Sequence, residues 1–137
     1  MKKVLVILFL VFINFINAQN KFTILEINAQ LSAFGVESDD FPSIDAKIDF
    51  TNNSSSCLKS YYNPDKKSSI YKLTKNELKS IKEFLNEFDF EKIKKSYRSN
   101  LSDQPQSTLT IISTDKTITI YDYGLIGDYP LQEIYKY

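Results

Sequence analysis

The side chains in this sequence that could do chemistry are carboxylates, because the 137 residues include no histidine and one cysteine. Without histidine, the usual general base at neutral pH is missing, and Ser-His-Asp catalysis, Cys-His catalysis and histidine-ligated zinc are excluded. With three glycines, the sequence also carries no P-loop and no dinucleotide-binding fingerprint. The chemistry that remains is general acid–base catalysis by a carboxylate pair, as in glycoside hydrolysis.

Four aspartates near predicted turns are the candidate carboxylates: Asp39, Asp40, Asp122 and Asp128. A glycosidase needs two carboxyl groups about 5 to 9 Å apart across a sugar cleft. Asp39 and Asp40 are more simply explained as a solvated turn, and a calcium site formed by them with Asp45 lacks the EF-hand spacing. We therefore favour a protein with no catalytic residues, no metal site and no cofactor. A small carboxylate-dependent hydrolase acting on envelope glycans is the alternative.

Cys57 and a group of tyrosines are more suited to packing or binding than to catalysis. A lone cysteine beside Leu58 in a strand-like run is typically a small buried hydrophobe, and a reactive thiol is the alternative. Tyrosine rings offer rigid contact area with a polar tip, which suits recognition surfaces, although such rings also face cores. Five tyrosines occupy the last seventeen residues: Tyr121, Tyr123, Tyr129, Tyr135 and Tyr137.

The amino-terminal residues predict export. Two lysines precede ten apolar residues, Val4 to Ile13, and the small residue Ala18 follows, which is the pattern of a secretory signal peptide. The apolar run is too short for a membrane-spanning helix. We therefore predict a signal peptide over residues 1–18 and a single domain over residues 19–137, periplasmic or secreted, with no stable membrane span after cleavage.

The charge of the chain argues against nucleic acid as a partner. The sequence has 17 basic and 17 acidic residues, and the predicted signal peptide removes two lysines and no acid. The most basic stretch, Lys92 to Arg98, is interpreted as the solvated end of a helix. The expected partner is an unknown envelope or extracellular protein or ligand.

Hydrophobic periodicity predicts an α+β domain. Thr74 to Glu77 fits a capping box, and the apolar stripe that follows to Phe88 predicts one main amphipathic helix packed on a sheet. A short helix is predicted after Pro130. Alternation predicts about four N-terminal strands in an antiparallel sheet, extended by a C-terminal hairpin. The predicted strands cover about residues 25–33, 44–50, 57–62 and 70–73, and the hairpin about 109–120, with residues 51–56 as a turn.

Several motifs after residue 73 occur together in this sequence. They are the capped helix from Thr74 to Phe88, Tyr97, Ser102-Asp103-Gln104-Pro105, Asp122-Tyr123-Gly124-Leu125, Gly127 and Leu131-Gln132-Glu133-Ile134-Tyr135. Over roughly these last 65 residues the chain resembles the domain of unknown function 6438, a family of small bacterial proteins that are often exported. The resemblance implies an α+β domain and no known activity. Family members tend to carry a Gly-x-Cys-Pro-like stretch, whereas Gly35 here precedes acidic residues and only Pro42 is a counterpart.

The predicted function is a non-catalytic binding or interaction module of the cell envelope or exterior. A structural accessory subunit, whose threonine-rich strands extend the sheet of a partner, is a further alternative. The residues predicted to take part in binding are Asp103, Pro105, Asp122, Tyr123, Gly124 and Tyr129.

Overall fold

A computed structural model describes residues 23–32, 41–90 and 92–136 of the chain. The predicted signal peptide and the Asp39-Asp40 turn lie outside these residues. Within them, one mixed sheet of seven strands carries two helices. The elements are β1 (Ile24–Ser32), β2 (Ser43–Asp49), β3 (Ser54–Ser60), β4 (Ser69–Tyr71), α1 (Lys75–Asn86), β5 (Ser96–Arg98), β6 (Gln106–Ser113), β7 (Thr117–Tyr123) and α2 (Tyr129–Ile134).

The strand order is β4-β3-β2-β1-β6-β7-β5, and every pairing is antiparallel except that of β5 with β7. The predicted α+β class and the hairpin are confirmed. The count of four strands plus a hairpin is wrong, because β5 adds a seventh strand at the edge beside β7. Residues 92–98 are also not a helix end. The three-residue strand carries a single inward side chain, Tyr97, so it has no periodicity that a sequence could reveal.

Alternation along the strands separates an inner face from an outer face. In the β6–β7 hairpin, Leu109 pairs with Ile120 and Ile111 with Ile118, and all four side chains are buried in the core under the helices. The threonines between them lie on the outer face, where the Thr110 and Thr119 hydroxyls are 3.3 Å apart. Because side chains alternate with period two, this register gives the sheet one apolar and one polar face.

The first helix begins at the capping box that the sequence predicts. The Glu77 N–H donates to the Thr74 hydroxyl at 3.3 Å, and the Glu77 carboxylate accepts from the Thr74 N–H at 2.7 Å. Two donors that a helix N-terminus leaves unpaired are thereby satisfied. Leu78, Ile81 and Leu85 are buried against the sheet, which confirms the apolar stripe.

The turn between β2 and β3 is shorter than the sequence predicts. The Asp49 carboxylate accepts hydrogen bonds from Thr51 and Asn52, and these bonds lower its pKa from 3.8 to about 2. Asn53 then takes a positive φ of 50°, which asparagine tolerates. The strand resumes at Ser54 rather than at Cys57, because pairing with β2 outweighs the low strand propensity of three serines.

Removing the helix cap should destabilise the domain. We expect Thr74→Ala to lower the free energy of unfolding by about 1 kcal/mol, because the Glu77 N–H loses its acceptor. Urea denaturation measures the change. Ser80→Ala, at an exposed position in the middle of α1, is the matched control and should change stability by no more than a few tenths of a kcal/mol. Equal effects of the two variants would contradict the role of the cap.

Candidate binding groove

A row of small side chains crosses three strands on the inner face of the sheet. Ala29 of β1 pairs with Ala46 of β2, which pairs with Cys57 of β3. Tyr71 of β4 and Leu109 of β6 continue the row at its two ends. Directly paired residues on one face are nearest neighbours, so three short side chains in succession leave a trough in the sheet.

Larger apolar side chains border this trough along the strands. On one side Ile27 pairs with Ile48, and on the other Leu31 pairs with Ile44. The two helical segments leave the trough partly open, and Ala29, Ala46 and Cys57 are each only half-buried. We call this feature the apolar groove; its cavity volume is about 160 Å³. The remaining walls come from Leu73, Ile81, Leu85, Ile134 and Tyr135.

Hydroxyl groups that reach the apolar groove are already hydrogen-bonded within the protein. The Ser55 hydroxyl accepts from the Leu73 N–H at 2.7 Å, and the Tyr71 hydroxyl donates to Glu77 at 2.8 Å. Across the part of the chain that the structure describes, every buried side-chain nitrogen and oxygen has a partner. Each of these hydroxyls is therefore held in place by a contact within the protein.

The Tyr135 hydroxyl, also at the groove, belongs to a buried network. It donates to Asp122 Oδ2 at 2.8 Å and lies 2.6 Å from the Ser107 hydroxyl. Burial raises the pKa of Tyr135, the bond to the Asp122 carboxylate adds to that rise, and the bond to Ser107 opposes it. The phenol therefore stays protonated and holds the end of α2 against β6 and β7.

Asp122 ties the segment after β7 to the sheet. Its carboxylate, 1% exposed, accepts from the N–H groups of Ile126 at 2.9 Å and Gly127 at 2.8 Å as well as from Tyr135. Gly127 is required for this approach, because a Cβ there would lie 2.8 Å from Asp122 Oδ2 and 2.5 Å from Leu131 Cδ1. Charge-assisted bonds to backbone N–H groups are among the stronger hydrogen bonds in proteins.

Four of the six residues predicted to bind lie together at one junction, away from the floor of the groove. Beside Asp122, the Tyr123 hydroxyl accepts from the Gln104 N–H at 3.3 Å. Gly124 has a φ of 97° and its N–H donates to the Pro105 carbonyl at 2.7 Å. These contacts fasten the loop before β6 to the loop after β7.

The other two predicted binding residues are exposed. Asp103 lies in a loop with a φ of 54°, and Tyr129 is 63% exposed with its ring centroid 5.9 Å from that of Phe88. Among the other clustered tyrosines, Tyr121 is 56% exposed on the outer face, whereas Tyr123 and Tyr135 are partly buried. Tyr137 lies outside the described residues. Of the four described tyrosines in this cluster, two are therefore partly packed in the fold and two are exposed at its surface.

The other predicted carboxylates in the described ranges have contacts of their own. Asp128 accepts a hydrogen bond from the Tyr97 hydroxyl at 2.6 Å, which anchors β5, and Asp45 is exposed on the outer face. Residues 23–32, 41–90 and 92–136 contain no group of three or more His, Cys, Asp or Glu side chains placed to hold a metal ion. In the same residues, no helix is long and apolar enough to cross a membrane.

Sequence reasoning missed the apolar groove itself. Alternation places Ala29 and Ala46 on inner faces, but only the register places them opposite each other and beside Cys57. The thiol expected to be buried is half-buried at the groove. The one feature of the sequence that could have indicated the groove is the presence of Ala29 and Ala46 in strands whose other inward residues are mostly larger.

The fold and groove together define an α+β protein whose mixed sheet bears two helices and an open apolar trough on one face. The chain belongs to the family described as Domain of unknown function (DUF6438), whose model matches residues 39–137. The resemblance drawn from the motifs after residue 73 is thereby confirmed, and the match extends back over β2 and β3. Neither a curated protein nor a solved structure matches the chain.

Replacing the buried carboxylate should loosen the whole junction. We expect Asp122→Asn to lower the free energy of unfolding by about 2 to 3 kcal/mol, because an amide cannot accept from all three donors and loses the charge. Urea denaturation measures the loss. Asp103→Asn, exposed and at a positive φ that asparagine adopts, is the matched control and should stay within about 0.5 kcal/mol. An Asp122→Asn protein as stable as the control would contradict the structural role of this carboxylate.

Proposed function

We propose that this protein is a non-catalytic binding module, exported to the periplasm or the cell exterior, whose binding site is the apolar groove. The observation that carries the proposal is the open cavity of about 160 Å³ over Ala29, Ala46 and Cys57. The signal-peptide pattern of residues 1–18 supports the exported location.

Packing considerations favour a binding role for such a cavity. Apolar side chains that line a partly open groove stay in contact with water, which is unfavourable. A partner group that fills the apolar groove makes dispersion contacts with these side chains and removes their apolar surface from water.

The chemistry of Asp122 weighs against the alternative of a carboxylate-dependent hydrolase. Glycoside hydrolysis requires carboxyl groups that contact the substrate. Asp122 is buried and all its hydrogen bonds are made within the protein, so a sugar has no access to it. Its proposed role is to position Tyr135 and α2 beside the groove.

The exposed aromatic ring of Tyr129 is a second candidate surface. Tyr129 continues the packed rings of Phe84 and Phe88, whose centroids are 4.7 Å apart, and it is exposed itself. Exposed tyrosines next to apolar rings are common anchors at protein interfaces. A variant at Tyr129 therefore belongs in any binding experiment on the groove.

Filling the groove should abolish binding. We expect the protein from Gln19 onward to capture a specific component of the native cell envelope in a crosslinking pull-down, and Ala46→Leu to lose that component because the larger side chain occupies the cavity. Asp45→Leu makes a comparable change at the neighbouring residue on the outer face and should retain it.

Other results of the pull-down would contradict the apolar groove as the binding site. Capture that survives Ala46→Leu but is lost in Tyr129→Ala would move the site to the exposed tyrosine. Capture that no variant weakens, or no capture by any of them, would contradict the groove as a binding site.

A further inference from the structure

We propose that the outer face of the sheet binds one acidic sugar, a saccharide unit with a carboxylate, in a polar hollow beside Arg98. This site lies on the opposite face from the apolar groove, so it is independent of the proposed function. The hollow has a volume of about 240 Å³. Its outward side chains come from β5, β6 and β7 and are Ser96, Arg98, Gln106, Thr108, Tyr121 and Tyr123.

The register of three strands brings these side chains together. Two outward rows of paired residues lie side by side, and they are Ser96–Tyr121–Thr108 and Arg98–Tyr123–Gln106. Paired residues on one face are nearest neighbours, and residues two apart along a strand follow each other on that face. The two rows therefore form one continuous surface around the hollow.

Arg98 gives the polar hollow a positive charge. It is the one arginine of the sequence and it is exposed, and no carboxylate of the described residues forms an ion pair with it. The basic stretch that ends at Arg98 was interpreted as a helix end, whereas Ser96–Arg98 is a strand at the edge of the sheet. A helix dipole therefore does not explain the charge of this stretch.

The hollow presents no carboxylate to a ligand. The one acidic residue among those that line it is Asp122, whose carboxylate is buried on the inner face and accepts three hydrogen bonds there. Along the row through Thr108, the next acidic side chain is Asp45, on the far side of Gln30. The lining therefore complements an anion, and a ligand ammonium group would find no partner in it.

Neutral side chains around the guanidinium are suited to sugar hydroxyls. Three hydroxyls and one amide form no hydrogen bond with the rest of the described residues, and they belong to Ser96, Thr108, Tyr121 and Gln106. Hydroxyl and amide groups can both donate and accept, as sugar hydroxyls do. A guanidinium binds a carboxylate through two parallel N–H···O bonds, so Arg98 would hold the acidic group.

The exposed ring of Tyr121 and the size of the hollow favour a sugar over a smaller acid. Tyr121 is 56% exposed, and the C–H bonds on the face of a sugar ring can pack against such a ring. An apolar protein cavity of about 150 Å³ holds one benzene molecule. The hollow, at about 240 Å³, therefore accommodates one six-membered ring with its substituents.

Matched acidic and neutral sugars test the inference. The probes are the methyl glycosides of glucuronic and galacturonic acid, those of glucose and galactose, and acetate; each acid differs from its neutral counterpart only in a carboxylate that replaces a hydroxymethyl group. We expect one acidic glycoside to bind with a dissociation constant at least about tenfold below that of its neutral counterpart and that of acetate. An NMR titration of the isotope-labelled protein from Gln19 onward measures this, with shifts expected at Arg98 and Tyr121.

Arg98→Gln should abolish the preference for the acidic sugar. Lys72→Gln is the matched control, because it removes the same charge from an exposed position beside β4, at the opposite edge of the sheet, and should leave binding unchanged. Tyr121→Ala should weaken binding of the acidic glycoside several-fold through the lost ring contact. Gln106→Ala, also exposed, replaces Arg98→Gln if circular dichroism shows that variant to be unfolded, and should weaken binding as well.

Several results would overturn the inference: no binding of either acidic glycoside, equal binding of acidic and neutral glycosides, or an unchanged preference in Arg98→Gln. An equal loss in Lys72→Gln would indicate a general effect of charge, and acetate that binds as tightly as the glycosides would indicate an anion site without sugar recognition. Both contradict the proposed site. Ala46→Leu, on the inner face, should bind the acidic glycoside normally, so failure of the apolar groove and failure of the polar hollow are distinguishable.

Discussion

The register of β1 at the centre of the sheet is the constraint on which the rest of the structure depends. β1 pairs with β2 on one side and with β6 on the other, and so joins the N-terminal strands to the C-terminal hairpin. A slip of one residue would bring Asn28 to the inner face and turn Ile27 outward, so burial of the core fixes the pairing strongly. The same register places Ala29 opposite Ala46 and leaves the apolar groove. The pairing register of β1 thus determines both the hydrophobic core and the apolar groove.

Features with a local cause could be predicted from the sequence. The capping box needs only Thr74 and Glu77, and the hairpin needs only alternation on both sides of a short turn, so both were correctly predicted. Features that depend on distant pairing could not. β5 exists because Tyr97 is buried and donates to Asp128, which is 31 residues later in the chain. Ser54 joins β3 because β2 offers it a partner. The groove likewise depends on a register that no local pattern encodes.

The motifs after residue 73 that resemble the family mostly fasten the C-terminal segment to the sheet. Asp122 accepts three hydrogen bonds, Gly127 leaves room for that carboxylate, and Gly124 turns the chain and donates to Pro105. Three of these residues, Asp122, Gly124 and Pro105, were predicted from the sequence to take part in binding. The burial of a side chain distinguishes a residue that fastens the fold from a residue that binds a ligand. Burial depends on the fold and cannot be read from a short motif. Through Tyr135, this junction also forms one wall of the apolar groove.

The central claim is that the trough over Ala29, Ala46 and Cys57 is an apolar space that no side chain of the described residues fills, and that it accepts an apolar guest. A crystal structure of the protein from Gln19 onward under xenon pressure tests it most directly, because xenon binds in apolar protein cavities. We expect xenon within van der Waals contact of Ala46 and Ala29, and no ordered water hydrogen-bonded at that position. Side chains of the protein filling the trough, or ordered waters there in place of xenon, would contradict it.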